Sequence, residues 1–124
     1  MSNYKTFRDL DAWQKSRELV KSLYLATMAL PREEEFGLKQ QIRRAAISVI
    51  SNIAEGYGRQ YKKESIQFKF MAKGSLNEIE AQLIISEDLD FLNPSTCQPL
   101  FAQIETSRKL LSGYINYLEK AKLK

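Results

Sequence analysis

The chain has 124 residues, 44% apolar and 27% charged, with a formal charge of +4, the proportions of one soluble globular domain spanning 1–124. It has no histidine and a single cysteine, Cys97, which excludes a Ser-His-Asp triad, a Cys-His pair, a histidine-ligated metal and an internal disulfide. No apolar run reaches the ~18 residues of a membrane span, and the opening MSNYKTFRDLDAW lacks a signal-peptide core, so a cytoplasmic protein without membrane contact is expected.

The first helix is expected over about 10–28, with Asp9 or Asp11 as its cap. Leu10, Trp13, Val20 and Tyr24 form one apolar stripe on it; Ala12, Leu19, Leu23, Ala26 and Leu30 form another. Pro31 stops it, because proline disfavours helical geometry in the preceding residue. Glu33, Glu34 and Glu35 then crowd the start of a second helix, where negative charge suits the helix dipole.

The second helix, about 34–56, organises the chain. With Ile42 at 0° and about 100° per residue, Leu38, Ala45, Ala46, Val49 and Ile53 fall within roughly 60° of it. Ile47, Ile50 and Ala54 carry the apolar arc on to about 200° in total, twice what one core contact needs. Arg43 falls inside the second half of the arc and Arg44 on the polar face. Arg43 is therefore expected to be half-buried against a carboxylate of the third helix, Glu78 first and Glu80 second, within or between subunits. Gly56 is read as a left-handed C-cap. Gly56 and Gly58 are not a phosphate-binding fingerprint, since no strand precedes them and the third glycine is missing.

The third helix, about 62–89, is also apolar on two sides. Phe68, Ala72, Leu76, Ile79 and Leu83 line one; Phe70, Gly74, Ala81, Ile84 and Ile85 line much of the other. Gly74 costs about 1 kcal/mol in mid-helix, which a close backbone approach there would justify. Ser95 or Thr96 is expected to cap the fourth helix, about 96–120, whose single stripe is Leu100, Ile104, Ser107, Leu111, Ile115 and Leu118, with Tyr114 alongside. With no strand-like alternation anywhere, the pattern predicts an all-α, antiparallel up-down-up-down four-helix bundle. The second apolar surface predicts a homo-oligomer, with Arg43, Ile47, Ile50, Ala54, Phe70, Gly74, Glu78, Ala81, Ile84 and Ile85 at the interface.

Residues 39–73 hold eight Lys or Arg against two Glu, a net +6, whereas residues 74–124 carry −2. The turn after the second helix interleaves cations with aromatics. Arg44, Tyr57, Arg59, Tyr61, Lys62, Lys63, Lys69 and Lys73 are the candidate nucleic-acid contacts, phosphate pairing giving affinity and tyrosines stacking on unpaired bases. The alternative is a solvated loop whose tyrosines pack on the end of the bundle. No catalytic residue, cofactor, metal or small-molecule substrate is expected. Cys97 has no base beside it, and Glu78 and Glu80 point about 160° apart on a helix.

Two segments, QIRRAAISVISNIAEGYGR at Gln41–Arg59 and FMAKGSLNEIEAQL at Phe70–Leu83, together resemble the bacterial four helix bundle protein family. That family is named after the intervening-sequence (S23-like) protein encoded within some 23S rRNA genes. It also includes the accessory variability protein of diversity-generating retroelements. FRDLDAWQKSRELVKSLY and ALPREEEFGL agree as well. The resemblance implies a four-helix protomer, commonly a homopentamer with a basic surface, associated with RNA or a reverse transcriptase and without catalytic residues. Ile50 departs from the pattern, standing where many relatives are expected to carry proline (SIPSNIAEG), which predicts a straighter second helix here. Two functions stay open: an RNA-binding accessory protein, or a protein-only interaction scaffold with incidental charge.

Overall fold

The computed structural model describes residues 5–120. Four helices account for most of them: α1 (Asp11–Ala26), α2 (Leu38–Tyr57), α3 (Lys62–Asp88) and α4 (Pro94–Lys120). Short 3-10 turns at Phe7–Asp9, Thr27–Ala29 and Arg32–Glu34 lead into α1 and join it to α2. Among the described residues each helix packs on its neighbours in the chain, and α1 closes the ring against α4. Lys73 reaches Ser112 and Glu80 reaches Arg108, so residues later in α3 meet earlier ones in α4. This is the antiparallel four-helix bundle that the periodicity predicts.

The core is built from the expected stripes. Leu19 and Leu23 of α1, Ile42, Val49 and Ile53 of α2, Leu76, Ile79 and Leu83 of α3, and Ile104 and Leu111 of α4 are all buried. Burying each such side chain contributes about 1.5–3 kcal/mol. Of the two stripes on α1, Ala12, Leu19 and Leu23 face the core, while Trp13 and Val20 are half-buried and Tyr24 is exposed. Where α1 meets α4, the fully buried Ser16 and Ser107 hydrogen-bond at 3.1 Å, so the polar atoms of that seam satisfy each other.

The helix ends differ from the sequence expectation in instructive ways. Thr6 and Asp9 form a capping box around the first 3-10 turn. Asp9 accepts from the backbone N–H groups of Lys5 and Thr6, which hold its carboxyl below the usual range. Helix α2 starts at Leu38 rather than near residue 34, because Gly37 sits outside helical geometry at φ −109°, ψ −111°. Glu34 still serves that helix, its Oε1 accepting from Leu38 N–H at 3.0 Å. Helix α4 begins at Pro94, a favoured first-turn proline, with Asn93 O accepting from Thr96 and Cys97. The expected cap at Ser95 or Thr96 is therefore already inside the helix.

Gly56 has a different role from the one its position suggests. No described glycine has positive φ, and Gly56 is buried within α2. A Cβ there would lie 2.9 Å from Phe68 Cβ and 3.1 Å from Ser65 O. The glycine lets α2 and α3 approach each other and is not a left-handed cap. The left-handed cap belongs to α3, where Asp90 has φ 61°. Its N–H donates to Glu87 O at 2.9 Å and that of Phe91 to Ser86 O at 2.9 Å, a Schellman ending. Helix α2 runs unbroken through Ile50, as expected without a proline there.

Candidate functional site

The turn between α2 and α3 puts its groups at one end of the bundle. Gly58 ends α2 and Tyr61, with extended backbone, precedes the first residue of α3. Arg59 is exposed, but it is ion-paired with Glu55 one turn earlier and its guanidinium lies 4.6 Å from the Phe68 ring centroid. Tyr61 is 61% exposed, and Lys63 is exposed beside it. Tyr57 and Lys62 are half-buried at the margin of the turn. Lys5 and Arg8, both exposed, sit on the lead-in whose 3-10 turn packs on α2.

Three of the expected nucleic-acid residues are not part of this patch. Arg44 is exposed on α2, but roughly 21 Å along the helix from Gly58. Lys73 is half-buried and turned toward α4, donating to Ser112 Oγ at 2.9 Å. Lys69 is a clear correction: its side chain is 0% exposed and cannot reach an external phosphate. Its ammonium donates to Ser65 Oγ at 2.8 Å and lies 4.4 Å from the Tyr114 ring centroid. Burial pushes its pKa down to about 8. Lys69 precedes Ala72, Leu76 and Leu83 by three, seven and fourteen residues. The core periodicity itself therefore marked the position, and residue type alone suggested a surface.

Arg43 also has partners other than those expected. Its Nε donates to Thr27 Oγ1 at 2.9 Å, its Nη2 to Tyr24 O at 2.8 Å, and the guanidinium lies 4.4 Å from the Tyr24 ring centroid. It thus ties α2 to the C-terminal end of α1, where unpaired carbonyls and the helix dipole favour a cation. Glu80 instead pairs with Arg108 at 2.5 Å, and Arg108 also holds Glu105 at 2.6 Å. Glu78 accepts from Gln82 on its own helix.

The second apolar surface is present as two separate faces. On α3, Phe70, Gly74, Glu78, Ala81, Ile84 and Ile85 are all exposed along the outer side, and Met71 joins them. On α2, Ile50 and Ala54 are half-buried and Ile47 remains exposed. Ile47 lines an open groove of about 490 Å³ between α1 and α2, together with Tyr24, Phe36, Lys39, Arg43 and Arg44. Phe36, at 86% exposure the most open large apolar side chain described, was not singled out from the sequence. Its place in a glycine-containing connection between two helices was the available signal.

Cys97 is buried, and its thiol is pushed up to about 11 by burial and then by the Glu87 carboxylate, which makes it a poor nucleophile at neutral pH. Among the described residues, no helix is long and apolar enough to cross a membrane.

The family model for the 23S rRNA-intervening sequence protein matches residues 8–113. The chain belongs to this family. A crystal structure of a protein of unknown function from the S23 ribosomal protein family of Bacteroides thetaiotaomicron superposes with a TM-score of 0.75. The two chains are 24% identical over 84% of this chain and 97% of that one. That likeness carries the fold and not an activity. No curated protein matches the chain. The family match covers α1, α2 and α3 and most of α4, ending at Gly113, so both the basic turn and the outer face of α3 lie inside it.

Proposed function

We propose that this member of the 23S rRNA-intervening sequence family is a non-enzymatic, self-associating accessory protein. It binds RNA, or a nucleoprotein partner such as a reverse transcriptase complex, through the turn between α2 and α3. The observation that carries the reading is the exposure of Tyr61 and Lys63 side by side with Arg59, a stacking group among cations. Among the described residues no helix offers a row of base-reading side chains, so phosphate contacts dominate and sequence preference is weak. Self-association repeats the turn and multiplies weak contacts.

The test replaces Lys62 and Lys63 with glutamate and measures affinity for several unrelated RNAs. All should weaken together, with the salt slope falling by about 0.7–1 unit per lost contact, the lower figure for single strands. Tyr61→Ala should weaken single strands more than duplexes, because only unpaired bases offer free faces. Binding unchanged by the double reversal would exclude this surface.

A protein-only scaffold is the second reading. It is favoured by the fate of three cations: Arg59 is paired with Glu55, Lys69 is buried and Lys73 is engaged with Ser112. The patch is therefore smaller than the charge of residues 39–73 suggests. Absence of any RNA binding at low salt would establish this reading over the first.

A further inference from the structure

We propose that the C-terminal end of α1, with the groove that it forms against the start of α2, docks an acidic amphipathic helix of a different protein. This surface is separate from the turn between α2 and α3 and from the outer side of α3.

The second stripe of α1 ends outside the core. Leu23 is fully buried, whereas Tyr24, Leu25 and Met28 are exposed, Leu25 at 71% and Met28 at 68%. Lys21, Tyr24, Leu25 and Met28 follow one another at spacings of three and four and so share one side of the chain. Phe36 returns beside Tyr24 from the connection, since both line the groove. Large apolar side chains gathered at one place on an otherwise polar surface mark an interaction site.

The charge around them selects the partner. Lys39 and Glu35 are ion-paired and cancel. Arg43 donates to neutral acceptors, Thr27 Oγ1 and Tyr24 O, so its charge is held in place without being neutralised. Arg44 is exposed on the groove wall and has no ion-pair partner among the described residues. Glu33 and Glu34 do not line the groove, and Glu34 is turned to the Leu38 N–H. The charges of Arg43 and Arg44 thus stand uncompensated beside an apolar floor of Tyr24, Phe36 and Ile47. A partner with carboxylates flanking an apolar stripe complements both features, and a basic one is repelled.

The shape selects a helix. The groove is concave and runs between two helices, so it offers no strand edge for an extended peptide to pair with. From Lys39 to Ile47 α2 rises about 12 Å, a little over two turns, which fits apolar anchors at i, i+4 and i+7 of an incoming helix. Nucleic acid fits less well. Leu25 and Met28 offer no flat face to a base, and the guanidinium of Arg43 already lies 4.4 Å from the Tyr24 ring centroid.

Two labelled helical peptides test this by fluorescence anisotropy. Both carry leucine or phenylalanine at i, i+4 and i+7; one has glutamate along both flanks and the other lysine. The acidic peptide should bind and the basic one should bind at least about fivefold more weakly, the worth of one exposed ion pair. Arg44→Glu should reverse that preference. Met28→Ser with Phe36→Ser should abolish binding of the acidic peptide, with circular dichroism and elution volume unchanged. The protein with Lys62→Glu and Lys63→Glu should bind the acidic peptide as the wild type does, so failure of the RNA reading is told apart from failure of this one. No binding of the acidic peptide, equal binding of the two, or a preference that Arg44→Glu leaves unchanged would overturn the proposal. A Met28 and Phe36 variant that elutes as a smaller particle would also overturn it, by making this face a contact between copies of the chain. Displacement of the acidic peptide by single-stranded RNA from the Lys62 and Lys63 variant would overturn it in favour of a nucleic-acid groove.

Discussion

The Lys69 ammonium lies 2.8 Å from Ser65 Oγ and 4.4 Å from the Tyr114 ring centroid, fully enclosed. A hydroxyl and a π face solvate it less well than water does, and its pKa falls to about 8. A lysine with a folded pKa below its unfolded value costs stability wherever both states are charged. The cost is complete below about pH 8 and disappears as pH rises through the unfolded value near 10.5. From the shift it is roughly 3 kcal/mol. Lys69→Met fills the same space without the charge and should stabilise the protein by about 2–3 kcal/mol at pH 7. Urea unfolding of both proteins across pH 7–10.5 checks this. The stability difference should shrink steadily above pH 8, and a difference independent of pH would mean that the amine is not strained.

Arg43 and Arg44 are adjacent in the chain and unlike in the fold. Arg43→Ala removes two hydrogen bonds and leaves the carbonyl of Tyr24 and the hydroxyl of Thr27 without this donor, a loss of about 2–3 kcal/mol. Arg44→Ala should cost the protomer less than about 0.5 kcal/mol. Thermal melts at a protein concentration where the chain is monomeric separate the two. Equal losses would contradict the tie between α2 and the end of α1.

Asp90 occupies the left-handed cap of α3 at φ 61°, a conformation that glycine adopts without strain. Asp90→Gly should raise stability by roughly 0.5–1 kcal/mol, read as a shifted urea midpoint with an unchanged slope. Gly56→Ala should do the opposite and lose about 1–3 kcal/mol, because its Cβ would meet Phe68 Cβ at 2.9 Å.

Periodicity made the fold readable because every buried stripe repeats along its own helix. The run Leu100, Ile104, Ser107, Leu111, Ile115 and Leu118 is buried throughout, and the outer side of α3 is exposed where its second stripe predicts. Contacts between helices were less readable. A helical projection gives the direction in which Arg43 points but not the helix end that it meets, so carbonyl acceptors on α1 could not be told from a carboxylate on α3. Lys69 shows the reverse: its spacing put it in the core, and only the residue type argued otherwise. Gly56 and Asp90 exchange the roles that composition assigns, because close helix contact and left-handed backbone leave no periodic trace.

The central claim, that the turn carrying Arg59, Tyr61 and Lys63 holds single-stranded RNA by its phosphates, is tested most directly by the salt dependence of wild-type binding. Fluorescence anisotropy with a labelled, unstructured RNA is measured as salt is raised from low to physiological levels. Each phosphate contact should contribute about −0.7 to the slope of log affinity against log salt, so Arg59, Lys62 and Lys63 of the turn, with or without Lys5 and Arg8 of the lead-in, should give a slope of roughly −2 to −3.5. No binding at the lowest salt, or an affinity that does not change with salt, would contradict it.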